Sequence, residues 1–430
     1  MNVGIISLGC AKNRVDSETI AYLFKDNQVK IVNDIDQSDI IIVNTCGFID
    51  SSKQESIDTI LEMAKYHKIL IVTGCLVERY KEELKKEIPE VDLFISIKDY
   101  PHFSELLNEV IKQRQFKGEL SFSKRVLSTP SYTAFLKISE GCNNRCTYCA
   151  IPLIRGGFRS YKMEDLILQA KDIAKQNVKE LVVISQDTTR YGEDLKDVNI
   201  VTLLKELLKI PEFDYIRLLY LYPDEISDEL IDLIGSEERL TPYFDIPVQH
   251  ASNKILQAMH RRGDHDYLIN LFKKIRQRVP NAILRTTLIV GFPGETEEDF
   301  QILCDFVKEV KFDHLGAFTY SREEGTLSCD MPDQVLKKTK DKRYRKIMSI
   351  QKKISLENNK KRIGQVSNGI IIGYDEDIYC YKIRSGFNAP DDIDGSIFVY
   401  YDGELTLGQK VKFEINDADA YDLYAKLIIE

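Results

Sequence analysis

Short apolar runs alternate with amphipathic helical stretches along most of this chain, and that alternation constrains its fold more than any other feature. Runs at 3–8, 29–32, 40–44, 69–73 and 93–97 are each short and predominantly apolar, with helical patterns at 17–24, 53–64 and 103–112 among them. A strand that is apolar on both faces must be covered on both faces, which a parallel sheet with crossover helices provides. Five such units within 1–115 predict a doubly wound, flavodoxin-like α/β sheet of order 2-1-3-4-5. A polar stretch at 116–131, ending in Ser128-Thr129-Pro130-Ser131, reads as a linker. From Tyr132 a second alternation, with runs at 134–138, 180–185, 216–220, 244–247, 283–290 and 315–320, makes six βα units and predicts a partial TIM-like barrel. A long helix at 334–362 closes this domain, 132–362. The remainder, 363–430, has short strands with turns at 374–377, 391–395 and 402–403, and reads as a small antiparallel β-barrel.

The longest apolar runs are strand-sized, far short of the ~20 residues that span a bilayer, so no membrane segment is expected. The opening Met1-Asn2-Val3-Gly4-Ile5-Ile6 enters a strand with no basic-then-apolar leader, which makes the cytoplasm the expected location. In a reducing compartment the 9 cysteines, an odd count, do not read as a disulfide framework, and metal binding is the first expectation. Cys304, Cys329 and Cys380 lie in ordinary helix or strand contexts and read as small buried hydrophobes. The other six lie in turns that contain glycine or asparagine.

Cys142-Asn143-Asn144-Arg145-Cys146-Thr147-Tyr148-Cys149 follows the first barrel strand directly. Three thiolates so close together can hold three irons of a four-iron cluster and leave the fourth iron open to a ligand. Structural zinc wants four closed ligands, and no fourth Cys or nearby His accompanies this run. The run resembles that of the radical S-adenosylmethionine superfamily, whose open iron chelates S-adenosylmethionine. Cys10, Cys46 and Cys75 are far apart in sequence, yet each ends a predicted strand: the first, third and fourth. In the expected order those strands are neighbours ~4.8 Å apart, so their loops converge on one sheet edge. A second three-cysteine cluster is the expectation.

With Ser7-Leu8-Gly9-Cys10-Ala11-Lys12-Asn13, Asn44-Thr45-Cys46-Gly47-Phe48-Ile49, Thr73-Gly74-Cys75 and Glu140-Gly141-Cys142-Asn143, the chain resembles the radical S-adenosylmethionine methylthiotransferase family over essentially its whole length. One departure is visible: after Arg159-Ser160 the family usually has another Arg, and here Tyr161 and Lys162 follow. The resemblance implies two 4Fe-4S clusters, sulfur delivery at the first and radical generation at the second, and a C-terminal TRAM domain. It implies two uses of S-adenosylmethionine. One molecule gives its methyl group to sulfur held at the first cluster, and the other is cleaved reductively to a 5′-deoxyadenosyl radical that takes hydrogen from the substrate carbon. Breaking such a C–H bond is work for a cofactor rather than for side-chain acid or base groups. Tyr148 matches the family's aromatic position beside the adenine. Asp187, Gln249 and the turn with Gly291 and Gly294 are expected at strand ends facing the same pocket, as cofactor contacts.

Family members modify either a transfer-RNA adenosine or an aspartate β-carbon of the small-subunit ribosomal protein S12. Ile184-Ser185-Gln186-Asp187-Thr188-Thr189, the stretch from Phe244 through Gln249-His250-Ala251-Ser252, and Asn388-Ala389-Pro390-Asp391-Asp392-Ile393-Asp394-Gly395 resemble the ribosomal-protein branch. Charge points the same way. Residues 363–430 hold 13 Asp and Glu against 5 Lys and Arg, which would repel RNA and attract a basic protein. Asp391, Asp392 and Asp394 are expected on an exposed loop of that acidic dock. The helix at 334–362 is opposite in character, with 12 Lys and Arg against 2 Asp and Glu, and two readings stay open for it. It is a solvated basic face with Tyr344, Ile347, Met348 and Ile354 packed on the barrel, or it adds a secondary contact with ribosomal RNA. An electron donor is a further implied partner. The alternatives are a transfer-RNA methylthiotransferase and a non-catalytic iron–sulfur protein that docks on a basic partner. Cys142→Ala should abolish 5′-deoxyadenosine formation, whereas Cys10→Ala should keep that cleavage and lose the methylthio product, both read by chromatography after anaerobic turnover.

Overall fold

The structure, a computed structural model, describes residues 1–391 and 393–428; Asp392, Ile429 and Glu430 of the sequence readings above lie outside the described residues. Five parallel strands, β1 (Asn2–Ser7), β2 (Lys30–Val32), β3 (Ile40–Thr45), β4 (Ile69–Gly74) and β5 (Leu93–Ile95), form one sheet in the order β2-β1-β3-β4-β5. Four helices cover it: α1 (Ala11–Asp26), α2 (Asp50–Ala64), α3 (Cys75–Glu87) and α4 (Phe103–Val110). All six residues of β3 are buried, with Ile40 and Ile42 in a core beside Phe24 and Phe103, and Ile41 and Val43 in one beside Ile60 and Leu76. Burial on both faces is why these strands carry continuous rather than alternating apolar residues. Helix α1 begins at Ala11, well before the expected 17, because its polar first turn is buried at the sheet edge. There Asn13 Nδ2 donates to the carbonyl of Leu8 at 2.7 Å, and Asn44 Nδ2 donates to the carbonyl of Asn13 at 2.9 Å.

Six parallel strands form the second domain: β6 (Thr133–Lys137), β7 (Glu180–Ile184), β8 (Tyr215–Leu218), β9 (Tyr243–Asp245), β10 (Ile283–Val290) and β11 (His314–Thr319). They pair as two triplets, β8-β7-β6 and β9-β10-β11, stitched across the seam by bonds such as Leu221 N to Asp245 O at 2.9 Å. The result is an open, six-stranded part of a barrel with helices outside. The segment 116–131 has no helix or strand, yet it is not a solvated linker. Phe116 packs edge-on against Phe24, Phe122 stacks on Tyr161 with ring centres 3.5 Å apart, and Arg125 pairs with buried Glu18 at 3.1 Å. Its polar residues serve buried partners. The long helix, Lys337–Lys360, lies on the barrel through buried Ile347 and Ile354, while Tyr344 is exposed and Met348 half-buried. No helix among the described residues is long and apolar enough to cross a membrane.

The C-terminal strands, β12 (Val366–Asp375), β13 (Cys380–Ser385), β14 (Ile397–Val399), β15 (Lys410–Ala418) and β16 (Leu423–Leu427), close into a barrel in the order β12-β13-β14-β16-β15. The barrel is not wholly antiparallel: β14 and β16 run parallel. A closed ring of five strands cannot alternate direction throughout, so at least one neighbouring pair must be parallel.

The expected acidic dock on loop 388–395 is also corrected, because the Asp394 side chain is only 1% exposed and faces inward. It accepts from Tyr243 Oη at 2.5 Å and from the Ala389 amide at 2.9 Å, and lies 3.6 Å from both Arg285 and His314 of the second domain. Asp391 pairs with Arg14 at 3.2 Å. These carboxylates tie the β-barrel to the rest of the molecule. Burial raises the Asp394 carboxyl, but His314 and Arg285 outweigh it and hold the group below its ordinary value. A carboxyl depressed in the folded state stabilises fully above its unfolded pKa of ~3.9, and that stabilisation is lost as pH falls through the folded value. Asp394→Asn should therefore cost about 3–5 kcal/mol at pH 7 by urea denaturation, with the gap from wild type narrowing below pH ~4.

Candidate functional site

Cys10 precedes the first turn of α1, Cys46 follows β3, and Cys75 opens α3. Because β1, β3 and β4 are adjacent, the three thiols emerge at one carboxyl edge of the sheet, graded from exposed Cys10 through Cys46 to buried Cys75. Glycine makes the convergence sterically allowed. At Gly9, with φ of +83°, an added Cβ would sit 2.7 Å from Cys46 Cβ and 2.8 Å from its Sγ. The Cys46 loop is held by Ser56, whose Oγ accepts from the Cys46 amide at 3.0 Å and donates to its carbonyl at 2.8 Å. Burial pushes the Cys75 thiol up to about 11, while the adjacent Arg155 works against that rise.

The second thiol set lies in the loop after β6, where the Cys142 amide donates to Gly156 O at 3.2 Å and the Cys149 amide to Cys146 O at 3.0 Å. Cys142 Sγ accepts from the Asn144 amide at 3.5 Å, and Cys146 Sγ lies 3.8 Å from Arg261 Nη1 and 3.7 Å from Tyr222 Oη. Burial raises the Cys142 thiol to about 11 and the Cys149 thiol to about 12. No three Cys, His, Asp or Glu among the described residues converge as ligands of a single ion. A four-iron cluster spreads its thiolates over separate irons and needs the wider set. All-thiol donors, with no imidazole among them, fit iron–sulfur ligation at both places, and the missing Gly9 side chain lets Cys46 come close to Cys10 at the N-terminal one. Of the remaining cysteines, Cys304 is buried as expected, but Cys329 and Cys380 are only partly so.

A cavity of about 240 Å³ has chain neighbours of both sets in its wall. Its wall joins Phe48 and Ile49, which follow Cys46, to Tyr148, which lies between Cys146 and Cys149, and to Gln249, Thr287 and Ile289 of the barrel. Two of the expected cofactor contacts, Tyr148 and Gln249, thus meet there. The other three are not in its wall. Asp187 is buried beside the Cys142 loop, accepting from Asn144 Nδ2 at 2.7 Å and Thr189 Oγ1 at 2.6 Å and pairing with Arg190 at 3.1 Å. Burial holds its carboxyl above the usual value. Gly291 turns toward the long helix: an added Cβ would meet Lys340 Cγ at 2.3 Å, and its amide donates to Glu295 Oε2 at 2.6 Å. Gly294 caps the same turn, its amide donating to Asp333 O at 3.0 Å.

Sequence reading missed the charged residues that join the two sets. Asp16 of α1 pairs with Lys137 and with Arg155, each at 2.5 Å, and Glu140 pairs with Lys137 at 2.7 Å and Arg155 at 3.4 Å. Burial alone would raise Glu140; Lys137 and Arg155 outweigh it and hold that carboxyl at about 2. On the far side of the cavity Glu323 accepts from Lys53 at 3.0 Å and Arg79 at 3.2 Å, again across the domain boundary. Lys12 lies 3.4 Å above the ring of Tyr220 and donates to Ser185 O at 3.5 Å. The one available signal was a lone cation in an apolar stretch, Ile151-Pro152-Leu153-Ile154-Arg155.

Three family models match the chain: the uncharacterized protein family UPF0004 over residues 2–96, the radical SAM superfamily over 136–307 and the TRAM domain over 363–428. Similar proteins include the ribosomal protein uS12 methylthiotransferase RimO of Alkaliphilus oremlandii, 47% identical with 100% of both chains covered. The protein of the same description from Clostridioides difficile is 46% identical, with 100% of this chain and 99% of that one covered. Among solved structures, the radical S-adenosylmethionine methyltransferase TsrM of Kitasatospora setae shares the fold with a TM-score of 0.55 at 12% identity, covering 74% of this chain and 72% of that one. The cobalamin-dependent radical enzyme OxsB does so at 0.52 and 15%, covering 82% and 56%. Because a Cβ at position 9 would collide with Cys46, Gly9→Ala should lower reconstituted iron from about eight per chain toward about four. S-adenosylmethionine cleavage should persist in the same preparation, measured as 5′-deoxyadenosine.

Proposed function

This chain belongs to the RimO family of radical S-adenosylmethionine methylthiotransferases, and from that membership we propose that it places a methylthio group on the β-carbon of an aspartate in ribosomal protein uS12. The observation that carries the reading is the cavity walled on one side by the loop after Cys46 and on the other by Tyr148, so that one substrate side chain would lie between both thiol sets. Cys10, Cys46 and Cys75 would hold one [4Fe-4S] cluster, and Cys142, Cys146 and Cys149 the other. When bound, the clusters supply sulfur transfer and the one-electron cleavage of S-adenosylmethionine.

The chain's own residues position and enclose. Tyr148 and Gln249 would bracket the cofactor in the cavity, and buried Asp187 would hold the Cys142 loop through Asn144 rather than touch the cofactor. Glu323, with Lys53 and Arg79, keeps the cavity wall closed on the side of α2. Phe48 and Phe318 stand partly exposed in the cavity wall and would be covered by a protein substrate, which would exclude water from the reacting carbon. We place the reaction in the cytoplasm, with a protein electron donor of low potential.

Recognition of a basic substrate would fall to the C-terminal barrel. That barrel carries an open groove of about 980 Å³ lined by Tyr374, Tyr379, Tyr381 and Tyr400, with Asp402 and Glu404 exposed at its rim. Aromatic faces and carboxylates together suit lysine and arginine side chains. Contact of the long basic helix with ribosomal RNA would be secondary. Anaerobic turnover of reconstituted protein with small ribosomal subunits and S-adenosylmethionine should add a methylthio group to uS12, read by mass spectrometry of its peptides. Modified transfer-RNA nucleosides with unmodified uS12 would reject the reading. Asp402→Lys with Glu404→Lys should raise KM for the ribosomal substrate several-fold at low salt and leave uncoupled S-adenosylmethionine cleavage unchanged. The difference should fade as the Debye length falls from ~10 Å at 0.1 M to ~3 Å at 1 M salt.

A further inference from the structure

Arg155 is a residue of the barrel domain, at the end of the helix Ile151–Arg155, yet its guanidinium is sealed inside the boundary with the N-terminal domain at 2% side-chain exposure. One nitrogen serves carboxylates, Asp16 at 2.5 Å and Glu140 at 3.4 Å. The other points at the sheet edge, donating to Asn13 Oδ1 at 3.2 Å and to Cys75 Sγ at 3.4 Å. Cys75 is the most buried of its three thiols, and Arg155 is the charged group within hydrogen-bond reach of its sulfur.

From this geometry we infer that Arg155 is a positioning residue for the N-terminal cluster, reaching across the domain boundary to hold the Cys75 thiolate and raise the reduction potential of the cluster it ligates. The inference rests on the reading of Cys10, Cys46 and Cys75 as ligands. A hydrogen bond from a cation to a ligating sulfur favours the more negative, reduced cluster, and burial keeps water from screening the charge. Without Arg155, Lys137 alone would face Asp16 and Glu140, and the thiolate would lose its cation. The local field would turn more negative and reduction would become harder. The planar fork matters as well as the charge, since one side chain serves Asp16 and Cys75 at the same time.

The test uses the full chain carrying Cys142→Ala, Cys146→Ala and Cys149→Ala, so that only the N-terminal cluster contributes to a redox titration followed by electron paramagnetic resonance. In that background Arg155→Gln should lower the midpoint potential and alter the line shape while iron stays at about four per chain. Arg155→Lys keeps the charge without the fork and should shift the potential in the same direction by less; it is the variant to read if Arg155→Gln does not fold. Arg125→Gln removes another buried cation of the same boundary, the partner of Glu18, and should leave the potential where it was. An unchanged potential in the Arg155 variants, or an equal shift in Arg125→Gln, would overturn the inference. A parent with no cluster signal would instead overturn the ligand assignment on which it rests.

Discussion

The relation between the two thiol sets depends on a buried lattice of two carboxylates and two cations, Asp16 and Glu140 against Lys137 and Arg155, lodged between α1 and the barrel. Charges taken out of water are tolerated only when each meets its opposite in good geometry, and removing one member exposes the full desolvation cost of the others. An apolar boundary could slide by a fraction of a turn with little penalty. A lattice of short, directional bonds cannot, so it sets the register at which the edge of the sheet faces the mouth of the barrel. The cavity with Phe48 on one wall and Tyr148 on the other follows from that register.

Much of the architecture was legible because burial on both faces of a parallel strand leaves a plain mark, as in 40–44 and 69–73. The thiol sets were legible for a related reason: a strand's carboxyl end is a place in the fold, and three cysteines at that place in adjacent strands are one location. The boundary chemistry was not legible. Asp16 and Lys137 are 121 positions apart and each resembles an ordinary surface charge until the domains meet. Asp394 misled for the same reason, since its partners Arg285, His314 and Tyr243 belong to another domain. Gly291 resembled a cofactor turn, but its missing side chain makes room for Lys340. In each case local sequence reported the residue's chemistry and not its partner.

The C-terminal barrel shows how one acidic composition divides into two tasks. Asp394 faces inward and Asp391, itself exposed, pairs with Arg14, so the two fasten the barrel to both other domains, while Asp402 and Glu404 stay in solvent beside a row of tyrosines. Net charge is an average over these roles and identifies neither. The position of each carboxylate in the strand order decides whether it holds the molecule together or is free to meet a partner.

The two thiol sets differ in how far the chain must travel to form them. Cys142, Cys146 and Cys149 occupy a single short loop, which even an unfolded chain can bend around a metal centre at small entropic cost. Cys10, Cys46 and Cys75 come together only once β1, β3 and β4 have paired. Iron captured by the Cys142 loop would therefore be mainly a local event. Iron captured by Cys10, Cys46 and Cys75 would add its binding free energy to the stability of the whole N-terminal sheet, so that maturation of that centre and folding of that domain would be one equilibrium.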